Sequence, residues 1–148
     1  MSAAGLSFGK SCRLHHKSMV DNLFSHGKTF YDFPLRLTWT ALSQDEADSL
    51  FRAGCPAGVG ALQMLVTVPK KKRRRAVDRV LMRRRIREAY RINRIPLEEL
   101  VRSCPEIRTL QLAFIYLKNE NVDYAEIERK MRSLLGRLGA TLRSAHEG

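Results

Sequence analysis

The side chains most able to do chemistry in this sequence are basic, and they are crowded together. Between residues 70 and 94 stand 13 Lys and Arg against only Asp78 and Glu88, so +11 of the chain's +12 formal charge lies there. An arginine guanidinium is a planar fork of donors that grips one phosphate with two hydrogen bonds and keeps its proton. The chemistry indicated is recognition of a polyanion. The segment opens as Lys70-Lys71-Lys72-Arg73-Arg74-Arg75, adjacent cations whose mutual repulsion calls for a counter-charge. It continues as AVDRVLMRRRIREAYRINR, which predicts a helix over 76–94 that Pro96 closes.

At about 100° per residue, Leu81, Met82, Ile86, Ala89 and Ile92 fall in one arc of that helix. Arg79, Arg83, Arg84, Arg87, Arg91 and Arg94 fall in the opposite arc. Arg85 lies on the apolar side and is expected to snorkel at its edge. One face packs, and the other is an arginine rail whose turns repeat every ~5.4 Å, comparable to phosphate spacing along a strand. The expected polyanion contacts are therefore Lys70, Lys71, Lys72, Arg73, Arg74, Arg75, Arg79, Arg83, Arg84, Arg87, Arg91 and Arg94. Charge by itself leaves RNA, DNA and anionic lipid open. A membrane-surface helix is disfavoured because the flanking strands need its apolar face.

Other chemistry is thinly represented. No Ser-His-Asp, paired-carboxylate or glycine-loop constellation stands out, so an independent protein active site is not expected. Cys12, Cys55 and Cys104 are odd in number and widely spaced, which suits neither a disulfide framework nor a zinc cluster. Cys12 with His15 and His16 lacks a fourth ligand, so no metal site is expected. His26 reads as a helix-end residue, and Glu88 as an ion-pair partner of Arg84, Arg85 or Arg91.

The elements that must position the rail can be read from patterning. The chain has 148 residues, 44% of them hydrophobic, enough for one core and one domain. Residues 1–12 are expected as a loose tail, 13–142 as a single domain and 143–148 as a C-terminal tail. Ser18 and Asp21 resemble a capping box for a short helix that Gly27 ends. Leu35, Leu37 and Trp39 alternate with Arg36, Thr38 and Thr40, a half-buried strand, while 61–68 and 109–117 read as further strands. Residues 42–60, acidic and then glycine-rich, are expected as a surface excursion. Asp123 caps a last helix whose stripe is Ile127, Met131, Leu134, Leu138 and Leu142. The fold class expected is an α/β (α+β) two-layer sandwich, one mixed sheet of about four strands packed against helices. Residues 1–30 hold no continuous apolar run, and a reduced cytoplasmic protein is expected.

The segment VTVPKKKRRRAVDRVLMRRRIREAYRIN resembles the signature of the bacterial ribonuclease P protein component: a basic loop, then A-V-x-R-N-x-x-K-R-x-x-R-E-A-[FY]-R. Ala76, Val77, Arg79, Arg83, Arg84, Arg87, Glu88, Ala89, Tyr90 and Arg91 stand at matching positions. Val80 replaces the usual asparagine, and Arg83 the more usual lysine. The stretch from Arg13-Leu14 through Phe24, His26-Gly27-Lys28 and Phe30 is similar to the family's first helix, and the resemblance covers most of residues 10–140.

The resemblance implies a small protein bound to a catalytic RNA that removes the 5′ leader of precursor tRNA. It implies hydrolysis of a phosphodiester with Mg²⁺ held mainly by the RNA, and a left-handed βαβ crossover in the fold. It also implies a leader cleft between the sheet and the first helix, for which Val20, Phe24, Phe30, Phe33, Arg36 and Thr38 are the candidates. Aromatic side chains there would stack on unpaired bases, although Phe24, Phe30 and Phe33 read equally well as core, and Trp39 better so. The alternative is a non-catalytic RNA-binding protein such as a ribosomal protein or RNA chaperone. The residues point to no protein partner.

Overall fold

The computed structural model describes residues 9–147, without the side chains of residues 10, 146 and 147. Helix α1 (Lys17–His26) leads into strands β1 (Lys28–Asp32) and β2 (Leu35–Leu42). The short helix α2 (Gln44–Ser49) precedes β3 (Leu62–Thr67), and α3 (Ala76–Asn93) and α4 (Ile95–Arg102) lead to β4 (Thr109–Tyr116) and α5 (Tyr124–Glu147). The four strands form one sheet in the order β1-β2-β4-β3. β1 and β4 each run antiparallel to β2, while β3 lies parallel to β4. The mixed sheet with helices agrees with the expected α+β class. Two parallel neighbours need a long crossover, and α3 with α4 supplies it, so the basic helix is fixed at both ends by the sheet.

Side-chain alternation gives the sheet two different faces. Leu35, Leu37, Trp39, Leu62, Met64, Leu110, Leu112, Phe114 and Tyr116 point one way and form the main core with α3 and α5. The predicted α5 stripe is there, with Ile127, Met131, Leu134 and Leu138 fully buried. The expected cap also forms, Asp123 Oδ1 accepting from Glu126 N at 3.0 Å. The opposite face carries Ala113 and Leu65 beneath Met19 and Leu23 of α1, and Leu14, Leu42, Ala47 and Val59 are the other buried members of this smaller cluster.

Several expectations need correction. The cap of α1 is His16 without a side-chain bond, so Ser18 and Asp21 form no capping box. Gly27 does end α1, with extended backbone. A Cβ there would stand 2.4 Å from Leu23 O and 2.8 Å from Thr38 Cγ2, so close approach to the last turn of α1 and to β2 demands glycine. The 42–60 excursion contains α2 with a full capping box, Ser43 with Glu46, and its Ala47 and Val59 belong to the core. Pro96 does not simply stop the basic helix; it sits in the first turn of α4, where a missing N–H costs nothing.

The start of the chain corrects the expected tail as well. Residues 1–8 lie outside the described residues, but Ser11 O accepts from Gly60 N and Gln63 Nε2, each at 3.0 Å. Leu14 N donates to Met64 O at 3.0 Å, which covers the outer edge of β3. Residues 143–147, also expected as a tail, continue α5.

Candidate RNA interface

Helix α3 buries Met82, Ile86, Ala89 and Tyr90 against the sheet and α5. The packed arc is therefore rotated from the one predicted. Tyr90 is inside, while Leu81 is 36% and Ile92 42% exposed. Burial pushes the Tyr90 hydroxyl well above the ordinary tyrosine range, which keeps it neutral in the core.

The expected cations divide into two groups. Lys70, Lys71, Arg74, Arg75, Arg84 and Arg87 are exposed, with Lys72 and Arg83 half-buried. The remainder are engaged inside the chain. Arg94 is 3% exposed, bound to Glu98 Oε2 at 3.2 Å and donating to Arg91 O at 3.2 Å. It is not part of an open rail: α3 ends at Asn93, and the chain turns into α4 across that position. Arg91 pairs with Glu88 at 2.7 Å, and that hydrogen bond holds the Glu88 carboxyl below its ordinary range. Arg85 donates to Val122 O, reaching past the apolar side as a long side chain can.

Arg73 and Arg79 shape the basic loop. Arg73 binds Asp78 at 3.0 Å and donates from Nε to Asn121 Oδ1 at 2.9 Å. Asn121 Nδ2 in turn donates to Asp78 Oδ1 at 3.0 Å, so three side chains close a ring. Arg79 Nη1 donates to Arg73 O and Arg74 O at 3.0 and 2.7 Å. A helix N-terminus repels neighbouring cations, and Asp78 with this ring offsets the repulsion. Tyr116 steadies the β4–α5 loop that carries Asn121. Its hydroxyl donates to Glu120 O, and burial pushes its pKa up to about 12. Nothing in the sequence pattern marks Asn121 for this role.

Beside the loop the sheet is open. Phe24, Arg36, Thr67, Pro69, Lys71, Lys72, Ile115 and Leu117 line a cleft of about 520 Å³ with no carboxylate among them. Phe24 is 47% exposed above it, and Arg36 keeps a buried Nε–H without a hydrogen-bond partner. Of the six candidates for this cleft, Phe24 and Arg36 meet here. Phe30 does not. It pairs with Leu37 on the α5 side of the sheet, 6.0 Å from the Trp39 ring, with the Arg137 guanidinium 4.7 Å from its own. Strand parity alone puts it on the wrong face.

Thr38 faces the right way but is 5% exposed, its hydroxyl 3.5 Å from that of Thr29. Val20 is half-buried against the α1–α2 cluster. Phe33 is exposed between β1 and β2, where Phe33–Pro34 is a cis peptide. Thr67, Pro69, Ile115 and Leu117, absent from the candidates that sequence suggests, join the cleft only once the register of β3 and β4 is known.

A family model for ribonuclease P matches residues 8–139. The chain belongs to the ribonuclease P protein family. Ribonuclease P protein components from two strains of Porphyromonas gingivalis are similar over nearly their whole length. One is 31% identical over 97% of this chain and 95% of its own, the other 33% over 95% and 91%. The fold is shared with the ribonuclease P protein of Staphylococcus aureus, with a TM-score of 0.59, 15% identity and coverage of 87% of this chain and 96% of that one. That of Thermotoga maritima gives 0.57, 19%, 84% and 96%. Processing of the tRNA 5′ leader is the role of this ribonuclease P family, and its members work with an RNA. The alternative of a ribosomal protein or RNA chaperone finds no support among these relatives. Among the described residues no helix is long and apolar enough to cross a membrane.

Proposed function

We propose that the chain is the protein subunit of a ribonucleoprotein in which the RNA carries out the phosphodiester hydrolysis. The exposed side of the basic loop and α3 would hold the catalytic RNA, and the cleft under Phe24 would hold the leader of precursor tRNA. The bacterial cytoplasm is the setting this reading implies. One observation carries it: Lys71 and Lys72 line both the basic-loop surface and the cleft. A strand leaving the catalytic RNA can therefore enter the cleft without crossing neutral surface.

In this reading the chain binds and orients. Guanidinium and ammonium groups neutralise phosphates that would otherwise hold counterions, which lowers the demand of the assembly for Mg²⁺. Phe24 stacks on an unpaired base of any identity, and Arg36 supplies donors below it. Among the described residues, no three His, Cys, Asp or Glu side chains come together as a metal-binding group. In this reading Mg²⁺ is assigned to the RNA, as the family resemblance implies.

The test compares precursor and mature tRNA on the reconstituted holoenzyme carrying Phe24→Ala. Loss of one stack, roughly 1–3 kcal/mol, should weaken precursor binding about 5–150-fold and leave mature tRNA unchanged. Equal losses for both would assign Phe24 to the catalytic RNA or to packing and refute the cleft.

A further inference from the structure

The open face of the sheet carries a row of side chains that extends beyond the cleft. Thr67 of β3 is the register partner of Ile115 in β4, Ile115 that of Arg36 in β2, and Arg36 that of Tyr31 in β1. Facing residues on neighbouring strands share a side, so these four lie in one line across the sheet. Thr67, Ile115 and Arg36 line the cleft, and Tyr31 lies just outside it. At about 4.8 Å per strand, the line runs roughly 14 Å from the basic loop to the outer strand.

Tyr31 is 61% exposed, more than Phe24 or Phe33. The strand below it is nevertheless held firmly. Arg137 Nη1 donates to Tyr31 O at 2.9 Å, and Lys130 binds Asp32 Oδ1 at 3.1 Å. Asp32 belongs to the other face, so its carboxylate does not sit in the row. The geometry is a flat aromatic ring on a fixed strand, next to an arginine, at the end of a track that begins with lysines. With its backbone already fixed, the ring has only its own side-chain torsions to order on stacking.

We propose that Tyr31 adds a stacking position for an unpaired leader base beyond the cleft, one that this chain's own edge strand supplies. This rests on the assignment of the cleft to the leader. The bases nearer the cleavage site would lie by Lys71 and Lys72, and Tyr31 would take one farther upstream.

The test uses holoenzyme reconstituted with a bacterial ribonuclease P RNA. Precursors carry the fluorescent base 2-aminopurine at successive leader positions, and a second series shortens the leader stepwise. In the wild type, fluorescence is quenched at a cleft position and at one farther upstream. Tyr31→Ala restores the upstream signal alone and weakens long-leader precursors about 5–150-fold. It leaves short-leader precursors and mature tRNA unchanged, and Tyr31→Phe behaves as the wild type. Equal weakening of long, short and mature RNAs would mean that the ring meets the catalytic RNA, and no weakening would mean that it stacks on nothing. Either result overturns the proposal while leaving the cleft intact. Phe24→Ala is the separate control. If it fails to restore the cleft signal, the cleft assignment falls and the proposal falls with it.

Discussion

Removing exposed cations from α3 and removing the buried arginine that follows it should have opposite signatures. Arg84 and Arg87 are exposed, one turn apart, and line a common groove with Glu88 and Arg91. Deleting one cation that neutralises a phosphate lowers the slope of log affinity against log salt by about 0.7–0.9, so Arg84→Ala with Arg87→Ala should flatten it by roughly 1.4–1.8. Neither side chain packs in the core, and the melting temperature should hold. Arg94→Ala should do the reverse. It strips Glu98 of a partner at 3.2 Å and leaves Arg102 at 2.9 Å as the other. The cost is about 1–3 kcal/mol of stability, a drop of several degrees in melting temperature, with the salt slope unchanged. Anisotropy of a labelled catalytic RNA titrated across a potassium chloride series reads the slope, and calorimetry reads the melting point. An unchanged slope in the double variant, or a flattened slope in Arg94→Ala with its melting point intact, would refute the division of the cations.

Phe30→Ala removes a half-buried ring from Trp39 and Arg137. It should cost about 2 kcal/mol of stability without separating precursor from mature tRNA, and a precursor-specific loss in binding would contradict that placement. Asp32→Asn probes the clamp on β1. Burial raises the Asp32 pKa, but hydrogen bonds from Ser133 and Lys130 together with the positive charges of Lys130 and Arg137 outweigh it, and the net shift is downward from 3.8. A depressed folded-state pKa stabilises above the unfolded value and is lost as pH falls through the folded one. Wild type should therefore exceed Asp32→Asn in stability by up to about 1 kcal/mol at neutral pH, and the two should converge below pH 3.8. A gap that persists in acid, measured by denaturant titration, would assign the difference to packing.

The elements legible in the sequence are those whose periodicity is strong. β2, α3 and α5 announce themselves because each buries one clear side, and β3 and β4 because each is a short apolar run, β4 being buried at every position. β1 is harder, since KTFYD at an edge mixes charge with aromatic residues and is buried on neither face throughout. α2 did carry a readable signal in Ser43 and Glu46, and α4 another in Pro96 followed by Glu98.

For the interface, composition locates the rail, but not which arginines are already bonded. Arg73, Arg79 and Arg94 look no different from Arg84 in a one-dimensional wheel. Their partners, Asp78 and Asn121, two loop carbonyls, and Glu98, are set by how the loop folds back and how α3 meets α4. The cleft has the same character. Phe30 and Tyr31 are neighbours in sequence, and only the pairing with Leu37 and Arg36 decides which ring faces the open side.

The division of labour between protein and RNA is decided by leader removal from precursor tRNA at low Mg²⁺, measured with purified protein, with a bacterial ribonuclease P RNA, and with both together. The scrupulously RNA-free protein should cut nothing, the RNA alone should cut poorly, and the mixture should release the leader efficiently. Cleavage by the protein alone, or a mixture no better than the RNA, would contradict a binding subunit that serves a catalytic RNA.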